Sequence, residues 1–470
     1  MPVLRCVADL RDLEEEFGRV LRLLEPNTPF AEILAQTHTG TSARISAAGP
    51  SVERTPMLAG AAIRAWAGDH WAEVATGELT GHALAGAARA LGRTLSKRSA
   101  GAAPGIVAAS RRREVHEVAR AVGGLGPEEL GDRARQYRKW ALDVPGLADA
   151  QAFVTVSDDS RLYLNTAGAF QYQVVPRVGA SVAAVAIENG RVEHDWIRLG
   201  GMGGEEILDP VTESRVRGAA EGAKALLRAK SPPTGPLTVV LDPTTSGVLA
   251  HESFGHGTEA DQFLRGRSYL QPLRGTIVGP ETLSIVDDGA FTGGWGSMYF
   301  DDEGTPTRSN YLVQHGRFVG ILHDRTTAAA FDTEPTGNAR RADFLSRLWV
   351  RMTNTYVVPG DLTIEEILDE ANGGVLLEQP TSGMEDPLGG RMQIKVLRGY
   401  RIEHGERTEL VSSMALSGRV LDVLRSVRGV SRVDRLIMDG LSYCGKGHGD
   451  YVPAGSGGPY LLTEAIVGPA

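Results

Sequence analysis

The sequence is short of most features that would place it in a special class. Two cysteines, Cys6 and Cys444, occur in 470 residues. That is too few for a disulfide framework and suits a reducing compartment. No excess of basic charge is present: Lys+Arg 49 stand against Asp+Glu 58, a net charge of -9. A protein holding nucleic acid through its overall field needs clustered cations to displace counterions, so no nucleic acid is expected. Long apolar runs are missing. The longest, Val182 to Ile187, falls far below the ~20 residues a spanning helix needs, so no membrane is expected. The opening MPVLRCVADLRDLEEEFG turns acidic at once and has no apolar core of a secretion signal. A cytoplasmic protein is expected. No strict repeat of a solenoid type is seen.

What remains is a soluble globular composition, 42% hydrophobic and 6% aromatic. Glycine is abundant, 58 residues against a usual share of ~7%, so many positions need positive φ or close backbone approach. At roughly 100 to 200 residues per domain the length predicts two or three packed units. Arg93 to Arg113 holds Lys97, Arg98, Arg111, Arg112 and Arg113 among Ala, Gly and Pro, which reads as a solvated linker face.

Leu10, Leu13, Phe17, Val20, Leu21 and Leu24 fall at helical spacing ahead of Pro26. Residues 42 to 77 read as short antiparallel strands, with Trp66 and Trp71 in core packing and a second helix opening near Thr80. FVTVSDDSRLYLN and VAAVAIENGRVEHDWI both read as hairpins, and Asn189-Gly190, His315-Gly316 and His404-Gly405 as turns. SPPTGP at 231–236 marks the boundary between an N-terminal unit, 1–230, and a C-terminal unit, 237–470. The fold class expected is α+β in two domains, the second mostly antiparallel sheet and carrying the helix described next.

After the strand Leu237 to Leu241, Thr244, Thr245 or Ser246 is suited to cap a helix starting near Gly247. It carries His251, Glu252 and His256, an HExxxH spacing one residue longer than the HExxH of common zinc peptidases. On a regular α-helix two residues five apart diverge by about 140°. A π-type turn restores them to one face, so a kink or bulge is expected at Gly255, with Gly255 and Gly257 supplying backbone freedom. Two histidines do not complete a catalytic zinc site. Cys444, in GLSYCGKGHGDYVPAG, is the best third ligand and His448 competes with it. Glu252, beside a ligand but not needed as one, suits a general base acting on a zinc-bound water.

These residues, with DDGAFTGGWGSMYFDDEGTPT at 287–307, RMTNTYVVPGD at 351–361, GMEDPLGG at 383–390 and SYCGKGHGDYVPAGSGGP at 442–459, make the chain resemble the TldD/PmbA metallopeptidases, in their metal-bearing branch. The resemblance covers nearly the whole chain. It implies one Zn2+ held by His251, His256 and Cys444, with Glu252 as catalytic base, and an enclosed cavity admitting unfolded or modified peptides. It also implies a dimer, either with a metal-free paralogue of the same fold or with a second copy. His448 is then kept as a group supporting the metal ligands. Asn354 and Asp301 are candidate substrate contacts. Asp301–Glu303 otherwise reads as a solvated hairpin tip, and Arg340 and Arg341 as surface arginines able to meet a carboxylate. Two other functions share these residues: an amidohydrolase releasing a small product from a carrier protein, and a non-catalytic partner subunit. Retention of HExxxH together with Cys444 speaks against the second.

Overall fold

A computed structural model describes residues 9–95, 102–115, 119–120, 125–447 and 449–470. Cys6, Lys97, Arg98 and His448 lie outside these residues. The described chain is α+β, with largely antiparallel sheets.

The first half is built on one sheet of long strands. Its order is Trp71–Thr76, Gly49–Trp66, Ala31–Ser46, Asp149–Asn165 and Phe170–Glu188, with Arg111–Val115 and Arg191–Met202 both pairing the last. Helix Glu14–Leu24 turns Phe17, Val20, Leu21 and Leu24 inward, as the apolar spacing predicts. With helix Gly81–Thr94, capped by Thr80, it covers one end of the strands at Ile33, Ile63 and Leu162. Helices Pro127–Leu142 and Glu213–Leu226 cover the other end, where Leu130, Tyr137 and Val216 meet Val154, Val178 and Val182. Trp66 and Trp71 pack edge to face, 5.3 Å apart.

Three expectations are corrected here. The strands of the 42–77 region are long, since Ala31–Ser46 and Gly49–Trp66 form one extended hairpin. The SDDS stretch is no turn but the middle of strand Asp149–Asn165. Asp159 is tolerated there because Arg161 pairs with it at 3.1 Å and Gln36 of the next strand donates to it. Arg111–Arg113 are not a linker face: they form a strand parallel to 170–172, and Arg111 pairs with Glu14 while lying 4.3 Å over the Phe170 ring.

In the second half, strands Val375–Asp386, Gly235–Leu241, Leu461–Pro469, Met414–Arg419 and Arg391–Glu403 pair in that order, and the last returns to the first, closing the sheet on itself. A six-stranded sheet lies beside it and includes Ile285–Asp288, Asn354–Val357 and Gly455–Gly458. Asn189-Gly190, His315-Gly316 and His404-Gly405 all have φ between 47° and 80°, and each closes the hairpin expected.

Helix Pro243–Ala250 runs between these two sheets. A Cβ on Gly247 would lie 2.2 Å from the Gly457 nitrogen, and one on Gly383 would lie 2.7 Å from Val248. The helix starts earlier than its sequence suggested. Asp242 is the cap, its Oδ1 accepting from the Thr245 N–H at 2.7 Å, and Pro243 takes the first helical position. Asp is a strong N-cap and Pro is pre-organised at that position, so this pair prevails over the threonines.

Candidate metal centre

The helix does not stay α-helical. Over His251–Gly255 it widens into a π turn closed by the His256 N–H donating to the His251 carbonyl oxygen. That is the bulge which the five-residue spacing demanded. The two imidazoles end on one side, ring centroids 5.1 Å apart and planes perpendicular. Gly255 has an ordinary φ of -77°, so glycine is needed there for space rather than for freedom. A Cβ on it would meet the Met352 sulfur at 2.0 Å.

Cys444 arrives on strand Tyr443–Lys446, paired with Asp450–Pro453. Its Sγ lies 3.3 Å from His256 Nε2, and one donor atom each from His251, His256 and Cys444 lie within 4.8 Å of one another. Burial would raise the thiol pKa, but His256 and His251 outweigh it and hold Cys444 well below the usual range. Burial would lower the pKa of His256, yet the Cys444 thiolate and then Glu259 hold it well above an ordinary imidazole. The site therefore stabilises a thiolate, the form of cysteine that binds metal.

The same sequence segments are matched in known proteins. Residues 234–467 match the model of the PmbA/TldA metallopeptidase C-terminal domain, and residues 116–227 that of its central domain. The chain belongs to the PmbA/TldD metallopeptidase family. It is 36% identical over 330 residues to a metalloprotease of Methanothermobacter thermautotrophicus, covering 70% of this chain and 71% of that one. It is 33% identical over 241 residues to a zinc metalloprotease TldD homolog of Saccharolobus solfataricus, covering 51% and 53%. In structure it resembles a Thermotoga maritima protein described as a candidate modulator of a DNA gyrase, with TM-score 0.80, 21% identity and 97% and 100% coverage. TldE from Thermococcus kodakarensis follows at TM-score 0.73 and 16% identity, with the same coverage.

Two residues of this PmbA/TldD chain that sequence reasoning passed over sit behind the donors. Glu259 is buried, with Oε2 3.6 Å from His256 Nδ1, on the ring edge opposite Cys444. Burial would raise its pKa, but Lys446 and His256 hold it at about 2. Lys446 donates to Glu259 Oε2 at 2.8 Å, to Asp261 Oδ1 at 2.8 Å and to the Val350 carbonyl at 3.0 Å. It thereby ties the strand carrying Cys444 to the segment carrying His256. The signal was available: Lys446 follows Cys444 by two residues, the period of one strand face, and Glu259 follows His256 by three.

Two expected substrate contacts are corrected. Asn354 is fully buried and its amide is used internally: Oδ1 accepts from the Gly296 N–H at 3.0 Å, and Nδ2 donates to the Asp288 carbonyl and to Ser297 Oγ. Asp301, also fully buried, accepts the backbone N–H groups of Glu303, Thr305 and Ala339. Neither lines either cavity at the three donor residues. Asp302 and Glu303 are likewise buried and pair with Arg161 and Arg64, so this stretch is not a solvated tip. Arg340 and Arg341 are buried rather than at the surface. Arg340 holds the Met352 and Pro453 carbonyls, and Arg341 pairs with Glu73.

Above the donors lies a cavity of about 420 Å³, lined by Glu252, Glu385 and the three donor residues among others. A second, of about 250 Å³, shares His251, Glu252, Gly383 and Tyr443 as a common wall. Glu252 thus faces both. Gly383 makes the room, since a Cβ there would lie 2.6 Å from Glu252 Oε1.

Proposed function

We propose that this chain is a zinc-dependent peptidase that hydrolyses amide bonds of unfolded or modified peptides, with His251, His256 and Cys444 as ligands and Glu252 as general base. The observation that carries the reading is the convergence of the three donors beside Glu252 in one cavity. The donor set fits the ion. Zinc bonds of ~2.3 Å to sulfur and ~2.0–2.1 Å to nitrogen give a tetrahedral edge of about 3.6 Å, and the 3.3 Å between Cys444 Sγ and His256 Nε2 lies near it. The name of the Saccharolobus solfataricus relative supports the choice of zinc.

Bound zinc supplies a Lewis acid and a water of lowered pKa. The chain's own residues do the rest. Glu252 takes the proton of the attacking water on its carboxylate and returns it to the leaving nitrogen. Lys446 and Glu259 hold His256 with Nε2 toward the donor cluster. The likeness to TldE supports assembly with a second subunit of this fold, metal-free or identical, which would enclose the two cavities and restrict entry to flexible chains. A reducing, cytoplasmic setting suits a working thiolate.

The test is Glu252→Gln, assayed for zinc by elemental analysis and for peptide hydrolysis in the same preparation. Zinc retained at about one per chain with hydrolysis lower by ~10²–10⁴-fold is expected. Hydrolysis at the wild-type rate would remove Glu252 from the chemistry and with it this reading.

A further inference from the structure

The larger cavity holds a carboxylate that the reaction above does not use. Glu385 lies near the end of strand Val375–Asp386. Both of its oxygens are shielded from solvent and have no hydrogen-bond partner among the described residues. A buried carboxylate is ordinarily paired, because an unpaired one keeps its full desolvation cost. By contrast, Glu32, Asp302 and Glu303 each meet a guanidinium.

The strand explains how Glu385 is aimed. Alternation puts Gly383 and Glu385 on one face and Met384 on the other, where it is 67% exposed. Gly383 lies against Glu252, and two strand residues span about 7 Å. Glu385 therefore stands about that far along the cavity from the proposed base. Its Oε1 lies over Gly257, where an added Cβ would be 3.2 Å from it. The hairpin end is fixed, since the Tyr269 N–H donates to the Pro387 carbonyl at 2.9 Å and the Tyr269 hydroxyl to the Ser253 carbonyl at 3.3 Å. Lys446 is the sole lysine or arginine among the lining residues, and it is committed to Glu259, Asp261 and Val350. The imidazoles of His251 and His256 are the other basic groups on that wall, and their donor atoms face Cys444, so neither oxygen of Glu385 receives a hydrogen bond from a base.

We propose that Glu385 is a specificity-determining residue that receives a cationic nitrogen of the substrate, either an α-ammonium or a Lys or Arg side chain, next to the bond being cut. The inference rests on the peptidase reading. A cation entering there completes the missing ion pair in a site of reduced dielectric, where a charge-assisted contact is strongest.

The test uses the zinc-loaded full-length protein and peptides of one scaffold, with Lys exchanged for norleucine or with a free N-terminus exchanged for an acetylated one. Wild type is expected to favour the cationic member of a pair at least tenfold in kcat/KM. Glu385→Gln, of the same shape, brings that ratio toward one, and Glu385→Asp keeps part of it. The pair that responds tells side chain from α-ammonium. A wild-type ratio near one, or a ratio unchanged in Glu385→Gln, overturns the proposal. If no peptide is cleaved, the peptidase reading fails separately and calorimetry decides. Either N-acetyl-lysinamide or free norleucinamide is expected to bind wild type at least tenfold tighter than N-acetyl-norleucinamide. Equal binding in both overturns the anchor.

Discussion

Two buried charged clusters in this molecule follow opposite rules. Where the N-terminal sheet meets the 300–341 region, four acids find bases. Glu32 and Glu303 share Arg64 and Arg325, Asp302 meets Arg161, and Glu73 meets Arg341. Around the π turn, the donors of His251, His256 and Cys444 face one another, and Glu252 and Glu385 line the cavity with no Lys or Arg side chain free to pair with them. The first pattern is that of a structural clamp, in which charge is cancelled within the chain. The second leaves its charge to be cancelled by something that arrives, which is what a metal and a substrate do.

The contrast can be tested by removing one member from each side. Cys444→Ala is expected to have the largest effect, loss of stoichiometric zinc and of peptide hydrolysis together in folded protein, measured by elemental analysis and assay. Zinc retained at one per chain would break the distinction. Arg325→Met should act only on stability. It leaves Glu32 and Glu303 short of a partner in full burial, so unfolding in urea should show a loss of about 3–5 kcal/mol, with zinc per folded chain unchanged. Lys446→Met lies between the two. Chelator competition should give zinc binding ~10–100-fold weaker, since Glu259 loses its tether while all three ligands remain. The smallest effect lies outside both clusters. Burial, helped by Arg274, lowers the pKa of His323 to about 4. The unfolded chain then takes up a proton that the folded one refuses. The contribution of a neutral His323 is fully present above about pH 6.5 and is lost as pH falls toward 4. A drop of about 2 kcal/mol between pH 7 and 5 is expected from thermal melts, and His323→Gln should remove it.

The candidate metal centre was legible because its logic is local. A spacing of five positions between two histidines leaves a helix few ways to face them together, and a thiol with no disulfide partner has few uses. Lys446 and Glu259 are legible by the same spacing argument, two positions along a strand from Cys444 and three along a helical turn from His256. The clamp was not legible. Asp301, Asp302 and Glu303 look like a polar turn until Arg161 and Arg64 arrive from strands 141 and 239 positions away. Asn354 carries the chemistry of a peptide-binding edge, but its amide serves the loop at 288–297. The SDDS strand failed similarly, since Gln36 lies 123 positions from Asp159. Burial decided by distant partners is what one sequence does not reveal.

The π turn also sets a constraint on chain length. One additional residue in a helix rotates everything after it by about 100°. The segment beyond His256 has been fitted to that rotation, for Glu259 and Asp261 both reach Lys446 on another strand. Deleting Gly255 to recover a regular HExxH would return the histidines to neighbouring positions and swing both acids away from the lysine. The π turn and the grip of Lys446 on Glu259 and Asp261 are therefore one unit, and a deletion at Gly255 is expected to undo both.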